Sequence, residues 1–356
     1  MSDKTLISVD AMGGVNAPDA IIEAISRFLS TIDDVFFQIY GKKNTISPKI
    51  AEYQFPENRY KLIDCEEIIS DEDKAIDAWR NGKNSSMRKA IEAIKNNHAH
   101  SVISCGNTGA LMLTAKMLLG TLDHVNKPAI AGIFPSLNNN GTVMLDIGAN
   151  LECKEQHLFH FALMGICFAR ILLQEENPKV GILNVGSEKN KGRKLEQQTY
   201  RILKESKLNF IGFVEGHDVV HGKTDVLVTD GFSGNIFLKA SEGAADMCID
   251  LMKASITNGG IISRLGGLLL KSSIKNSFKI IDPNRNNGAM LIGLKGIVIK
   301  SHGSANTDGI FHAINTAYRL AKHDINTKIS KELESFEEKG TGLSLVNKIS
   351  KLLRKS

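Results

Sequence analysis

Cysteine, aromatic residues and long apolar runs are all scarce in this 356-residue chain. Five cysteines, Cys65, Cys105, Cys153, Cys167 and Cys248, form an odd set without a CxxC pair, which argues against a disulfide framework and a structural zinc site. Aromatic side chains make up 6% of the residues and the formal net charge is only +5. With few stacking platforms and so weak a positive balance, nucleic acid is not an expected partner. No uninterrupted apolar run reaches the roughly 18 residues of a membrane span. The opening MSDKTLISVD has neither the charged region nor the apolar stretch of a secretion signal, so a cytoplasmic protein is expected.

The familiar short motifs are missing as well. No GxGxxG follows the first apolar run with an acidic residue ~20 positions on, and no Walker lysine, HExxH or GxSxG occurs. Nucleotide, zinc-hydrolase and serine-hydrolase readings lose their support, and neither a metal nor a cofactor is expected. The chemistry has to come from scattered polar groups.

What is present is an ordinary globular composition, 42% hydrophobic and 23% charged, with a regular alternation. Short apolar runs at 5–9, 35–40, 60–63, 101–104, 129–134, 142–146, 179–184, 209–214, 225–229 and 296–300 predict strands covered on both faces. Helical periodicity separates them at 18–30, 72–82, 85–97, 108–120, 154–174, 191–206, 234–258 and 307–322. This predicts an α/β fold of three layers, α/β/α, doubly wound about a mainly parallel sheet. Six apolar runs end in small polar segments: VDAMGG (9–14), SCGNTGA (104–110), LDIGAN (145–150), NVGSEKNKG (184–192), TDGFSGN (229–235) and SHGSAN (301–306). In such a fold these are expected to converge on one crevice at a single rim.

Within them stand the candidates for chemistry. Asn107 and Thr108 open a helix, where free N–H groups and the dipole favour an anion such as phosphate, although capping explains them too. Asp10 and Asp146 end apolar strands and need solvation or a partner. Asn150 follows in the same turn as Asp146. Lys189, Lys191 and Arg193 bring cations to a helix start, a conflict that a bound anion relieves. Asp230, Ser233 and Asn235 share a strand-to-helix turn, and His302 is the histidine of a rim segment, with a range suited to proton donation.

Two stretches depart from the alternation. Residues 259–281 set Leu265, Leu268 and Leu269 among Arg264, Lys271, Lys275 and Lys279, which predicts a helical apolar tip with a basic collar, within a protrusion at 243–285. At 343–355, apolar residues fall on one helical face amid lysines and an arginine. The expected division is an α/β catalytic unit over 1–325 and a basic helical tail over 326–356. Each amphipathic stretch suits a membrane surface or a protein contact equally.

In this order, DAMGG, GNTGA, LDIGAN, NVG with KG at 191–192, TDGFSGN and HGS resemble the phosphate acyltransferase PlsX family of bacterial phospholipid synthesis; SSM at 85–87 also matches. The resemblance implies transfer of a long fatty acyl chain from the phosphopantetheine thiol of acyl carrier protein to inorganic phosphate. It also implies a homodimer with a fold similar to isocitrate and isopropylmalate dehydrogenases and to phosphotransacetylases. Peripheral association with the inner membrane is implied too, where a glycerol-3-phosphate acyltransferase would consume the product. On this basis Asn107, Thr108 and Lys191 are expected to hold phosphate, and Asn150 or Asn235 to donate to the developing oxyanion. His302 is expected to serve the departing thiolate, while Asp146 and Asp230 fix the donors. The acidic carrier suits the cations of the collar. A short-chain phosphotransacetylase using coenzyme A, an isocitrate-type dehydrogenase and a non-catalytic scaffold that docks carrier protein at the membrane are the alternatives.

Overall fold

The computed structural model describes residues 4–138, 140–282 and 284–338. In chain order these form β1 (Thr5–Asp10), α1 (Asp19–Thr31), β2 (Val35–Gly41), α2 (Lys43–Glu52), β3 (Tyr60–Asp64), α3 (Ala75–Asn81), α4 (Ser86–Lys95), β4 (Ser101–Ser104), α5 (Thr108–Leu119), β5 (Ala129–Phe134) and β6 (Thr142–Leu145). There follow α6 (Glu155–Leu172), β7 (Val180–Leu183), α7 (Lys194–Glu205), β8 (Phe210–Val214), α8 (Gly216–Val220), β9 (Val226–Val228), α9 (Gly231–Asn258), α10 (Gly260–Phe278), β10 (Ala289–Ile292), β11 (Ile297–Lys300), α11 (Thr307–Lys322) and α12 (Ile325–Glu338).

The strands build one sheet in the order β3-β2-β1-β4-β11-β10-β5-β6-β9-β7-β8. Neighbours are parallel in both halves, but β10 is antiparallel to β11 and β5, and β5 is antiparallel to β6. Runs such as Ile7, Val9, Val143 and Val226 are buried because helices cover both faces. Amphipathic α1 seats Ile21, Ile25 and Phe28 in the core. By contrast α6, apolar nearly all round, is sunk between the sheet and α7, α11 and α12.

The antiparallel centre has a consequence for the predicted rim. Because β6, β9, β7 and β8 run opposite to β1, β4 and β11, the six polar segments do not share one side of the sheet. VDAMGG, SCGNTGA and SHGSAN leave strand ends on one side; LDIGAN, NVGSEKNKG and TDGFSGN leave strand ends on the other. The expected single rim is therefore two groups of three.

The apolar tip is a helical hairpin of α9 and α10, which pack on each other. No residue of α10 is buried, and Ile262 (87%) and Leu269 (84%) are almost fully exposed. Among the described residues, no helix is long and apolar enough to cross a membrane. At the other end, α12 places Ile325, Ile329 and Leu333 in the main core against α6. The body of the protein thus runs past the expected boundary at 325, while the basic stretch 343–355 lies outside the described residues.

Candidate active site

The first group of loops is held by Asp10. Its buried carboxylate accepts hydrogen bonds from Ser86 Oγ (2.6 Å), Ser104 Oγ (2.7 Å) and the Met12 amide (3.3 Å). Burial pushes its pKa up, while these donors and the nearby Lys300 pull it down. Such a carboxylate is a scaffold for loops rather than a free reactant. Glycine lets the loops touch: a Cβ on Gly13 would sit 2.6 Å from the Gly106 amide nitrogen.

Asn107 is the N-cap of α5, accepting from the Ala110 amide at 3.0 Å. Its amide nitrogen donates to the carbonyls of Ser70, Asp71 and Asp73. Both ends of the side chain are occupied by the protein, as the capping reading expects. Thr108, at the first turn of α5, lines a cavity of about 360 Å³.

That cavity lies over the middle of the sheet. Its apolar lining includes Phe134, Met144, Ile147, Leu238 and Ala245; its polar lining includes Thr108, Lys300, Ser301 and His302, with Lys239, Glu242 and Asp282 as further charged groups. Lys300, the last residue of β11, donates from Nζ to the carbonyls of Cys105 (3.1 Å) and Ser301. It has no carboxylate partner among the described residues, and desolvation lowers its pKa. An ammonium held by neutral carbonyls in the lining of a greasy cavity is a ready partner for an anion. In the sequence Lys300 is inconspicuous, because a lysine closing an apolar strand reads as a solvated end. Its place directly before SHGSAN was the available signal.

His302 follows two residues later. Its Nδ1 pairs with Ser304 Oγ at 2.9 Å. Desolvation chiefly, then Lys239 and Lys300 against the opposing Glu242, lowers its pKa, so the ring is neutral at neutral pH.

The second group is built on Asp146, fully buried at the end of β6. It accepts from the amides of Ile130, Gly148, Ala149 and Asn150 and from Asn150 Nδ2. Asn150 Nδ2 also donates to the Pro128 carbonyl at 2.8 Å. Both hydrogens of the Asn150 side-chain amide are thus engaged within the fold. Asp230, 3% exposed, is the N-cap of α9 and bonds the Ser233 amide at 2.7 Å. Arg193 pairs with both Asp230 and Glu196 and reaches Ser233 Oγ at 3.4 Å. For Arg193 the relief of the helix-start conflict comes from carboxylates of the protein itself, not from a bound anion.

Lys191 is exposed in the loop before α7 and does not line the cavity, nor do Asp230, Ser233 and Asn235. Asn235 comes nearest: its Cγ lies 3.5 Å from where a Cβ on Gly148 would stand, next to the cavity residue Ile147. The structure therefore brings Thr108, Lys300 and His302 together at the cavity. Asp10 and Asp146 stand behind the two groups of loops as their organisers.

Comparisons with known proteins identify the family. The family model described as "Fatty acid synthesis protein" matches residues 5–328. The phosphate acyltransferase of Anaplasma phagocytophilum is 41% identical over 337 residues, covering 93% of this chain and 97% of that protein. That of Bacillus pumilus is 38% identical over 328 residues, covering 92% and 97%. In fold, the chain is similar to a phosphotransacetylase from Streptococcus pyogenes, with a TM-score of 0.60 at 16% identity over 91% of this chain and 95% of the other. With such identity over nearly its whole length, the chain belongs to the phosphate acyltransferase (PlsX) family and is an acyltransferase.

Proposed function

We propose that this enzyme transfers a long-chain fatty acyl group from the thiol of acyl carrier protein to inorganic phosphate, releasing acyl phosphate for phospholipid synthesis. The observation that carries the proposal is a cavity whose lining joins an apolar wall to the polar groups Thr108, Lys300 and His302. The wall suits an acyl chain, and the polar groups suit phosphate beside a thioester.

Monohydrogen phosphate is already an oxygen nucleophile, so the enzyme's task is to overcome charge repulsion and to position it. Lys300 and the first turn of α5 at Thr108 hold the anion. The phosphate oxygen attacks the thioester carbonyl, the C–O bond forms, and the C–S bond breaks. The proton carried by phosphate must reach the departing sulfur. Neutral His302, with Nδ1 engaged by Ser304, relays it through Nε2. Asn235 and Lys191 stand on the second group of loops, outside the cavity lining, and Asp10, Asp146 and Asp230 keep the loops in place.

The same reading includes a homodimer in the cytoplasm, lying peripherally on the inner membrane through the exposed hairpin. Arg264, Lys271 and Lys275 there meet anionic lipid or the acidic carrier, and Leu265, Leu268 and Leu269 enter the headgroup layer. A membrane glycerol-3-phosphate acyltransferase takes the product. The test is to incubate purified enzyme with palmitoyl carrier protein, with and without phosphate, and to detect free thiol and acyl phosphate. Thiol release independent of phosphate, or activity confined to short acyl-coenzyme A, overturns the proposal.

A further inference from the structure

Beside the acyl cavity lies a second, polar one of about 330 Å³, walled in part by Lys279, Arg285, His312 and the amide-bearing Asn140 and Asn286. The two cavities share Pro135 and Asn286, so they adjoin at the foot of the hairpin. No carboxylate is among the residues that line the second one. The nearby acids are engaged elsewhere: Asp308 pairs with Arg27 at 2.6 Å, and Asp282 accepts from the amide and side chain of Asn284. Neither Lys279 nor Arg285 has a side-chain ion pair or hydrogen bond among the described residues. Two cations, an imidazole that burial and the neighbouring Arg285 keep below its usual pKa, and two amides surround a hollow with no carboxylate in its lining, a recognition surface for a phosphate ester.

Resting on the carrier-linked thioester proposed above, we infer that Lys279, Arg285 and His312 form a subsite for the phosphate of the donor's pantetheine arm. The arm passes by Asn286 and Pro135 and delivers its thioester to Lys300 and His302, while the acyl chain lies in the apolar cavity. The phosphate held here is a spectator that fixes the donor, distinct from the phosphate that reacts.

The test uses two small donors that differ in this group alone, palmitoyl-phosphopantetheine and palmitoyl-pantetheine, so that the carrier's own surface plays no part. The wild-type enzyme is expected to show a KM at least tenfold lower for the phosphorylated donor, the factor a charge-assisted hydrogen bond is worth. In the Lys279→Ala, Arg285→Ala double variant that preference should vanish, with KM for inorganic phosphate unchanged. Both side chains are exposed, so folding should be retained, and circular dichroism checks it. Equal KM values for the two donors in the wild-type enzyme overturn the inference. So does a variant whose defect lies in KM for inorganic phosphate, which would make the pocket an entry site for the free anion. If wild-type enzyme forms no acyl phosphate even from palmitoyl carrier protein, it is the functional reading that has failed.

Discussion

Asp10 and Lys300 stand in register on either side of Ser104, one strand away in each direction. The two opposite charges are each satisfied by neutral groups: Asp10 by two serine hydroxyls and an amide, Lys300 by two carbonyls. The carboxylate is saturated by the loops it joins, whereas the ammonium has no ion pair among the described residues and is the group we propose for phosphate.

Lys300→Met should retain the fold, since a buried cation replaced by an apolar side chain of similar volume is often neutral for stability. Turnover should fall about 100-fold or more, with a raised KM for phosphate, as for loss of a donor to the reacting oxyanion. Initial rates across a phosphate series check this; unchanged phosphate dependence removes Lys300 from the site.

The relay assigned to His302 needs the neutral ring. Its pKa lies below the usual 6.5 because of burial and the cations Lys239 and Lys300. The rate should therefore hold through neutral pH and drop as pH falls through that lowered value, where the ring takes up a proton and no longer accepts one. His302→Gln should be slow and lose this acidic limb. A limb retained by the variant assigns it to another group.

Arg193→Ala should destabilise the protein by about 1–3 kcal/mol, because Asp230 and Glu196 are left buried without their cation; the exposure of Arg193 keeps the figure below that of a fully buried pair. Adding Asp230→Asn should recover part of the loss, since asparagine retains the cap of α9 without the charge. Denaturant unfolding of both variants measures it, and a double variant weaker than the single one contradicts it.

Leu268→Glu with Leu269→Glu, two exposed positions on α10, should change stability by less than about 0.5 kcal/mol. Sedimentation with anionic vesicles should show a marked loss of binding. Unimpaired binding would take the hairpin out of the membrane contact.

The sequence made some of this legible and hid the rest for physical reasons. Buried parallel strands announce themselves as continuous apolar runs, so β1, β4, β6 and β9 were readable. The four residues of β10 were missed because AMLI lies just before another apolar run, with only the 293–296 turn between them. Helix α2 escaped notice because Pro48 interrupts its pattern and only Ile46 and Ile50 are buried. Strand direction was the larger omission: nothing local in AIAGIF or TVMLD says that they pair antiparallel, yet this pairing splits the rim. Asn107 and Asn150 were correctly seen as loop residues, but their amides turn inward to carbonyls that only the folded chain brings near. Lys300 looked like punctuation until tertiary packing enclosed it.

Helix α9 starts at the Asp230 cap, contributes Leu238, Ser241, Glu242 and Ala245 to the cavity beside Lys300 and His302, and continues to Asn258 at the exposed tip. At 1.5 Å per residue its 28 residues make a rod of about 42 Å. Under the proposed function, holding the far end of that rod would steady a wall of the chamber, gearing grip outside to gap inside. Gly243, in mid-rod and with nothing packed where its Cβ would be, is the place where such gearing would slip.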